Sequence, residues 1–237
     1  MKVMYVFIML SLFLLVTGCQ SEPEPVAVPA PTQTSTSGKD TVIRLPEPRP
    51  DSNVSIEQSL LKRESTRSYA DEPLTLADVS QLLWSAQGIT RSGGFRTAPS
   101  AGALYPLEVY LVVGDVEGLE AGIYKYVPSG HELNMTTGGD RRAALADAAL
   151  SQSSVKTGAV AIVFTAIYER TTIKYEERGI RYVHIELGHA TQNLCLQAAA
   201  LDLGVVTIGA FSDEQVAELL DLPDDEKPLY IIPVGRK

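Results

Sequence analysis

The chain has 237 residues, of which 45% are hydrophobic and 7% aromatic, and its formal net charge at pH 7 is −9. This length accommodates a single domain with a substantial hydrophobic core. The composition argues against nucleic acid as a partner, because a polyanion is bound through clustered positive charge, and lysine and arginine form no long run here.

The first residues predict a lipoprotein signal peptide. Lys2 precedes "VMYVFIMLSLFLLV", a run of about 14 mostly apolar residues that is too short to span a bilayer and is typical of the centre of a signal peptide. Val16, Thr17 and Gly18 then precede Cys19, and "VTGC" resembles a bacterial lipobox. We therefore expect cleavage after residues 1–18 and a lipid on Cys19 that anchors the protein outside the cytoplasm, in a bacterial cell envelope. An ordinary secretory signal with a chance cysteine is the alternative.

Residues 19–52 predict a disordered tether. They include "PEPVAVPAPTQTSTSG", a composition that buries too little apolar surface to fold. The folded domain is then expected over residues 53–237. Cys195 is the only cysteine after Cys19, so no disulfide can form within that domain, and a buried, unreactive thiol is its expected state.

Two capping boxes mark the first helices of the domain. Ser55 and Gln58 have the spacing that opens a short helix, and Thr75 and Asp78 repeat this spacing before "LADVSQLLWSAQ". The second helix is expected to stop at Gly88.

Strands are expected next. "LEVYLVVG" predicts a strand, and "GIYKYVPSGHELNMT" predicts a hairpin that turns at Pro128, Ser129 and Gly130. An alanine-rich helix is expected from about Asp140 to Leu150. "AVAIVFTAIY" is continuously apolar, which is the pattern of a central strand covered on both faces.

The longest predicted helix runs from Arg181 to Leu203. Apolar residues recur along it every three or four positions, and a second face is small and apolar, so we expect it to be central, in the core or in a subunit interface. A strand in "VVTIGAF", a helix capped by Ser212 that ends near Leu222 and a final strand in "PLYIIPVGRK" complete an α+β pattern. The apolar stripe consists of Val183, Leu187, Ala190, Leu194, Ala198 and Leu201, and the second face of Cys195, Ala199 and Ala200.

Four segments follow one another in the order "KRESTRSY", "APSAGALYPLEVYL", "KYEERGIRYVHIELGHATQNLCLQAAALDLG" and "TIGAF". Together they resemble the nitroreductase-like flavoproteins, and within them the SagB and ThcOx type of dehydrogenase. The resemblance implies a nitroreductase-like α+β fold with a mixed central sheet flanked by helices. It also implies a homodimer with the long helix at its interface and FMN bound between the subunits.

The segment "KRESTRSY" carries the first candidate cofactor residues. The guanidinium groups of Arg63 and Arg67 and the hydroxyl of Ser65 suit an anion and the polyol oxygens of FMN. The resemblance assigns Arg63 to the phosphate, Ser65 to the ribityl or phosphate region and Arg67 to the N1 side of the ring. A solvated basic helix end is the alternative.

A second set of candidates consists of small residues. By resemblance, Pro99, Ser100, Ala101 and Gly102 lie along the flavin from the partner subunit, where a bulky side chain would collide with the ring. A tight turn is the alternative.

The remaining cofactor candidates lie near the C-terminus. By resemblance, Ile208, Gly209 and Ala210 lie along the other ring face, where backbone amides can bond N5 and O4. Arg236 is a candidate for a second charge at the phosphate, with an ordinary basic tail as the alternative.

The sequence "HIELGH" superficially resembles a metal site. His184 and His189 are five positions apart, which places them about 140° apart around a helix, unlike the ligand pair of a zinc helix. We therefore predict no metal here, and interpret His189, Gln192 and Asn193 as a polar seam in a helical interface.

Lys174 and Tyr175 are the candidate catalytic residues. The resemblance places them at a Lys-Tyr pair implicated in catalysis by SagB-type azoline dehydrogenases, where they can accept a proton while the flavin takes a hydride. Exposed polar residues leading into a helix are the alternative, and Tyr105 is a further possible ring neighbour.

The sequence thus predicts an FMN-dependent oxidoreductase that transfers hydride through flavin N5 between a small organic or peptidic substrate and an acceptor. The alternative is a cofactor-free extracytoplasmic binding protein on the same scaffold.

Overall fold

The structure is a computed structural model that describes residues 42–237. The predicted signal peptide, Cys19 and most of the predicted tether lie outside the described residues. Among residues 42–237, none of the helices combines the length and the apolar content needed to span a bilayer.

The described part of the chain alternates helices with antiparallel strands. The helices are α1 (Ile56–Lys62), α2 (Leu76–Gln87), α3 (Arg142–Ala148), α4 (Ser153–Thr157), α5 (Glu169–Tyr175), α6 (Arg178–Ala200) and α7 (Asp213–Leu220). The strands are β1 (Val42–Arg44), β2 (Ile89–Arg91), β3 (Phe95–Arg96), β4 (Leu107–Val113), β5 (Gly122–Val127), β6 (Glu132–Gly138), β7 (Val160–Ile167), β8 (Leu203–Val205) and β9 (Glu226–Arg236). A single 3₁₀ turn covers Ala101–Ala103.

A seven-stranded sheet forms the centre of the fold, in the order β1-β6-β5-β4-β7-β9-β8, and β2 and β3 form a separate hairpin. All strand pairs in the large sheet are antiparallel, and parallel pairing occurs at the isolated bridges Ser65–Val205 and Leu74–Val116. One face packs against α2 and α6 and the other against α3, α4 and α7. The predicted α+β fold, with a central sheet flanked by helices, is therefore confirmed.

Strand β7 is the central strand that its apolar sequence predicts. It pairs with β4 on one side and with β9 on the other, and all of its residues from Val160 to Ala166 are buried. Its side chains enter both core clusters, because successive residues of a strand point to opposite faces.

The helix caps are confirmed. Ser55 and Gln58 form a capping box at α1, and Thr75 and Asp78 form one at α2. The hydroxyl of Ser212 accepts a hydrogen bond from the Gln215 amide at the start of α7.

The fold begins earlier than residue 53. Strand β1 pairs with β6, and Leu45 is only 3% exposed, so this end of the expected tether belongs to the sheet. The carbonyl of Pro46 accepts hydrogen bonds from the hydroxyl of Ser80 and from the imidazole of His131. These tertiary partners order a short segment that its composition alone does not mark as a strand.

Helix α6 begins at Arg178 rather than Arg181 and ends at Ala200 rather than Leu203. The predicted apolar stripe is buried up to Ala198. On the second face, Cys195 and Ala199 are also buried, and α1 of the same chain packs against α6. These small residues therefore have partners within one subunit.

Candidate functional site

The segment that follows α1 runs along strand β8. The backbone of Ser65 bridges Val205, and the Thr66 amide donates to the Val205 carbonyl at 2.8 Å. Two glycines permit this approach: a Cβ on Gly204 would lie 2.8 Å from Thr66 Cγ2, and one on Gly235 would lie 2.7 Å from Tyr69 Cβ. The packing fixes the backbone that carries Arg63, Ser65 and Arg67.

These three side chains are exposed, and none forms a side-chain hydrogen bond or ion pair with another residue of the 42–237 region. Arg63 lies at the C-terminal end of α1. Burial raises the pKa of the Cys195 thiol of α6, and the positive charge of Arg63 acts in the opposite direction. The donor set of two guanidinium groups and a hydroxyl is therefore available, and it fits an anionic phosphate and neighbouring hydroxyl groups.

The small segment from Pro99 to Gly102 leads into a turn with unusual backbone angles. Gly102 has φ +64°, and Ala103 and Tyr105 have φ +54° and +46°. The Tyr105 amide donates to the hydroxyl of Ser100 at 2.9 Å, which closes the turn. Non-glycine residues rarely adopt this region, and such strain is concentrated at functional sites.

Lys174 and Tyr175 lie against this turn. A Cβ added to Gly102 would be 3.0 Å from the Tyr175 hydroxyl and 3.1 Å from Lys174 Nζ. Both residues stand at the end of α5, and the Tyr175 ring contacts the ring of Tyr182 edge-to-face at 5.1 Å between centroids. The structure thus brings together two candidate groups that are far apart in sequence.

Glu186 is a buried carboxylic acid next to the same segment. It is 2% exposed, and its Oε1 atom has no hydrogen-bond partner among the described residues. Burial raises its pKa to about 7, while hydrogen bonding to Ser100 and the charge of Arg96 act in the opposite direction. Glu186 was not predicted as a site residue from the sequence, although it lies three positions after Val183 and four before Ala190, on the buried stripe of the helix.

Arg96 contributes a cation to this cluster. Its guanidinium carbon lies 4.6 Å from the centroid of the Tyr105 ring, and its Nη1 atom donates to Gln87 Oε1 at 2.6 Å. The ring of Tyr105, just after the Pro99–Gly102 segment, therefore contacts a partly buried positive charge.

The segment Ile208–Ala210 follows β8. Ile208 exchanges two backbone hydrogen bonds with Ile231, at 2.8 and 3.0 Å, whereas Gly209 and Ala210 are exposed. The amides of Gly209 and Ala210 donate to no other residue within 42–237. The predicted strand in "VVTIGAF" is accordingly limited to β8 and this bridge, and two amides stay available to a ligand.

Arg236 has partners inside the fold. Its Nη2 atom forms an ion pair with the capping residue Asp78 at 2.8 Å, and its Nε atom donates to the Pro73 carbonyl at 3.3 Å. These contacts tie the last strand to the start of α2, and a phosphate contact from this residue stays a prediction.

The residues of "HIELGH" have separate surroundings. His184 hydrogen-bonds to the Tyr168 hydroxyl at 2.6 Å, Glu186 lies in the cluster described above, and His189 is exposed. In the predicted polar seam, Asn193 donates to the Thr97 carbonyl at 3.3 Å, and Gln192 is exposed.

Comparison with known proteins identifies the family. The sequence profile described as "Nitroreductase family" matches residues 60–236. The protein named "Putative nitroreductase MJ1384" from Methanocaldococcus jannaschii is 44% identical over 200 residues, which cover 84% of this chain and 98% of that protein.

Two further relatives agree with this match. The Microcin B17-processing protein McbC of Escherichia coli is 30% identical over 156 residues, covering 63% of this chain and 57% of that protein. A crystal structure described as a "putative nitroreductase" from Ralstonia eutropha superposes with a TM-score of 0.72 at 31% identity, covering 90% of this chain and 97% of that one.

Proposed function

The chain belongs to the nitroreductase family of oxidoreductases, and we propose that it is an FMN-dependent dehydrogenase of a small organic or peptidic substrate. The observation that carries this proposal is the position of Lys174 Nζ and Tyr175 Oη beside Gly102. A pair of proton-handling groups there lies against the segment that the family resemblance assigns to the flavin.

Residues at the β8 edge would hold the cofactor. Arg63 binds the phosphate, Ser65 the ribityl or phosphate region and Arg67 the N1 side of the ring. Their side chains are exposed and have no hydrogen-bond or ion-pair partner among residues 42–237, which supports this assignment. FMN supplies the hydride acceptor, which no side chain can provide.

Small groups and free amides would flank the ring. The segment Pro99–Gly102 presents no bulky side chain other than a proline, and Gly102 is exposed. Gly209 and Ala210 offer two backbone amides that are free within the described part of the chain. Such amides can bond ring heteroatoms that gain negative charge on reduction.

Lys174 and Tyr175 would act on the substrate. Removing a hydride from a carbon leaves a proton to be taken up by a basic group within hydrogen-bond reach. Lys174 Nζ and Tyr175 Oη both lie beside Gly102, so the unprotonated amine of one or the phenolate of the other can accept that proton while its neighbour orients the substrate.

A peptidic substrate is supported by one relative. The Escherichia coli relative is named as a processing protein for microcin B17. An azoline ring formed from a cysteine or serine side chain of a peptide is a suitable substrate, because its oxidation to an azole removes one hydride and one proton. Oxygen or a quinone would then reoxidise the flavin.

Exposed apolar side chains support a homodimer. Ile180 and Ile185 line an open depression of about 740 Å³ along the first turns of α6, and Leu60 and Leu61 of α1 are 56% and 87% exposed. A second subunit that covers these side chains would bury apolar surface and complete a cofactor site between protomers.

The lipid anchor on Cys19 and the extracytoplasmic location belong to the same proposal and rest on the lipobox alone.

Absorption spectroscopy of the purified chain tests the cofactor. We expect a yellow protein that releases FMN on denaturation and whose flavin colour bleaches without oxygen when a short synthetic peptide with one thiazoline ring is added. A colourless protein that does not bind added FMN would instead support the cofactor-free binding protein. A flavoprotein that is bleached by NADPH and not by the peptide would refute the substrate class.

Two variants then test the chemistry. Lys174→Ala and Tyr175→Phe should keep the bound flavin and slow its bleaching by the peptide about a hundredfold or more. Loss of flavin from Lys174→Ala, or bleaching at the wild-type rate, would contradict the catalytic assignment.

A further inference from the structure

Arg170 links helix α5 to the turn from Gly102 to Tyr105. It lies on α5, one helical turn before Lys174. Its Nη2 atom forms an ion pair with Glu108 Oε1 at 2.5 Å, and its Nη1 atom donates to the Tyr105 carbonyl at 3.1 Å. One guanidinium group therefore connects the helix that carries Lys174 with the turn that follows Gly102.

The turn needs such a partner. Tyr105 has φ +46° and Ala103 has φ +54°, and these backbone conformations are strained for residues other than glycine. Surrounding contacts must hold them in place. The Tyr105 peptide is held on one side by the Ser100 hydroxyl and on the other by Arg170, and its ring is covered by Arg96.

The other end of the link is fixed in the sheet. The Oε2 atom of Glu108 on β4 pairs with Lys125 Nζ of β5 at 3.2 Å, and Lys125 lies 3.5 Å from Glu226 Oε2 of β9. Glu226 is 1% exposed and accepts a hydrogen bond from the Thr165 hydroxyl of β7. Arg170 is thus attached to a charge network that spans four adjacent strands.

Helix α5 depends on attachments of this kind. It has seven residues, a length at which an isolated helix is unstable in water. Its residue Ile173 is 86% exposed, so apolar packing holds only part of the helix. A planar guanidinium can satisfy a carboxylate and a carbonyl at once, which a lysine amine does with less fixed geometry.

We propose that Arg170 is the positioning residue of the candidate active site. It fixes α5 against the Gly102–Tyr105 turn, and so sets the distance between the Lys174–Tyr175 pair and the segment that faces the ring. This inference rests on the proposed function for its catalytic consequence, whereas the physical link can be measured without a cofactor.

Hydrogen exchange of the full chain without FMN tests the link directly. In Arg170→Ala, amides of α5 and of residues 100–105 should exchange at least about tenfold faster, since the Glu108 and Tyr105 contacts are both lost. In Arg170→Lys, which keeps the charge, the exchange rates of these amides should lie between those of Arg170→Ala and the wild type. Arg141→Ala, which removes an exposed arginine before α3, is the matched control and should leave these segments unchanged. Unchanged exchange in Arg170→Ala would overturn the proposal even if the chain proves not to be an enzyme.

Kinetics of the FMN-loaded chain test the consequence. With the thiazoline peptide, Arg170→Ala should lower kcat about 10- to 100-fold, because a displacement of the Lys174 and Tyr175 side chains by about 1 Å can reduce the reaction rate up to about a hundredfold. The affinity for FMN should change less than about twofold. Glu108→Gln should act in the same direction, and the effect of the double variant should be smaller than the product of the two single effects, because both changes remove the Arg170–Glu108 ion pair. A wild-type kcat in Arg170→Ala, or additive effects in the double variant, would overturn the positioning role. Arg170→Lys and Glu108→Gln keep the test informative if Arg170→Ala does not fold.

Discussion

Replacing Gly102 by alanine separates backbone strain from site geometry. Gly102 has φ +64°, so alanine there costs about 1–2 kcal/mol of stability. For a domain of this size, each kcal/mol lowers Tm by about 2–4 °C, and we expect a loss of about 2–8 °C. The new Cβ would also lie 3.0 Å from the Tyr175 hydroxyl and 3.1 Å from Lys174 Nζ, closer than carbon normally approaches these atoms. The ends of both side chains must therefore move.

Gly118→Ala is the matched control. Gly118 has φ +74°, and a Cβ there would have no atom within 4 Å. Both variants should show a similar loss of Tm in calorimetry. Only Gly102→Ala should slow bleaching of the flavin by the thiazoline peptide, by up to about tenfold, because its Cβ displaces the candidate proton acceptors by a few tenths of an ångström. Equal bleaching rates in the two variants would refute the placement of the Lys174–Tyr175 pair in the active site. A Tm loss confined to Gly102→Ala would refute the estimate of backbone strain.

Three further predictions address separate parts of the protein. Arg63→Ala should weaken FMN binding by about 10- to 100-fold, because a charge-assisted contact contributes about 1.5–3 kcal/mol, and quenching of flavin fluorescence measures this affinity. Lys62→Ala is the neighbouring control, and an equal loss of affinity in both variants would indicate general charge attraction rather than a specific contact. Burial raises the pKa of Glu186 from 4.5 to about 7, so the folded state binds the proton more tightly than the unfolded state, and wild-type stability should fall as pH rises through this interval. Glu186→Gln should remove that fall in a series of Tm measurements, and an unchanged pH profile would show that Glu186 ionises normally. Cys19→Ala should leave the precursor without lipid by mass spectrometry, and membrane partition equal to that of the wild type would contradict the lipobox.

Local sequence patterns predict the elements that local physics determines. The capping boxes of α1 and α2, the apolar run of β7 and the stripe of α6 each contain their own evidence, and the structure confirms them. Helix α5 was missed, since it is short, polar and held by the tertiary contacts of Arg170. Strand β1 was assigned to the tether because its pairing partner, β6, lies far along the chain.

In the candidate site too, the sequence predicts individual residues but not the contacts between them. Residue chemistry and family resemblance identify Arg63, Gly102 and Lys174 as separate candidates. The contact of the Lys174–Tyr175 pair with Gly102 depends on the path of the chain between them, which no local pattern contains. Glu186 entered the sequence analysis only as a letter of "HIELGH", and its position on the buried stripe of α6 was the available indication of its surroundings.

Strand β1 is the edge of the sheet at which the described residues begin. In the seven-stranded order, β1 and β8 form opposite edges, separated by six strand spacings of about 4.8 Å, or about 29 Å across the sheet. Arg63, Ser65 and Arg67 lie along β8. The N-terminal side of the described residues therefore lies at the edge of the sheet remote from Arg63, Ser65 and Arg67.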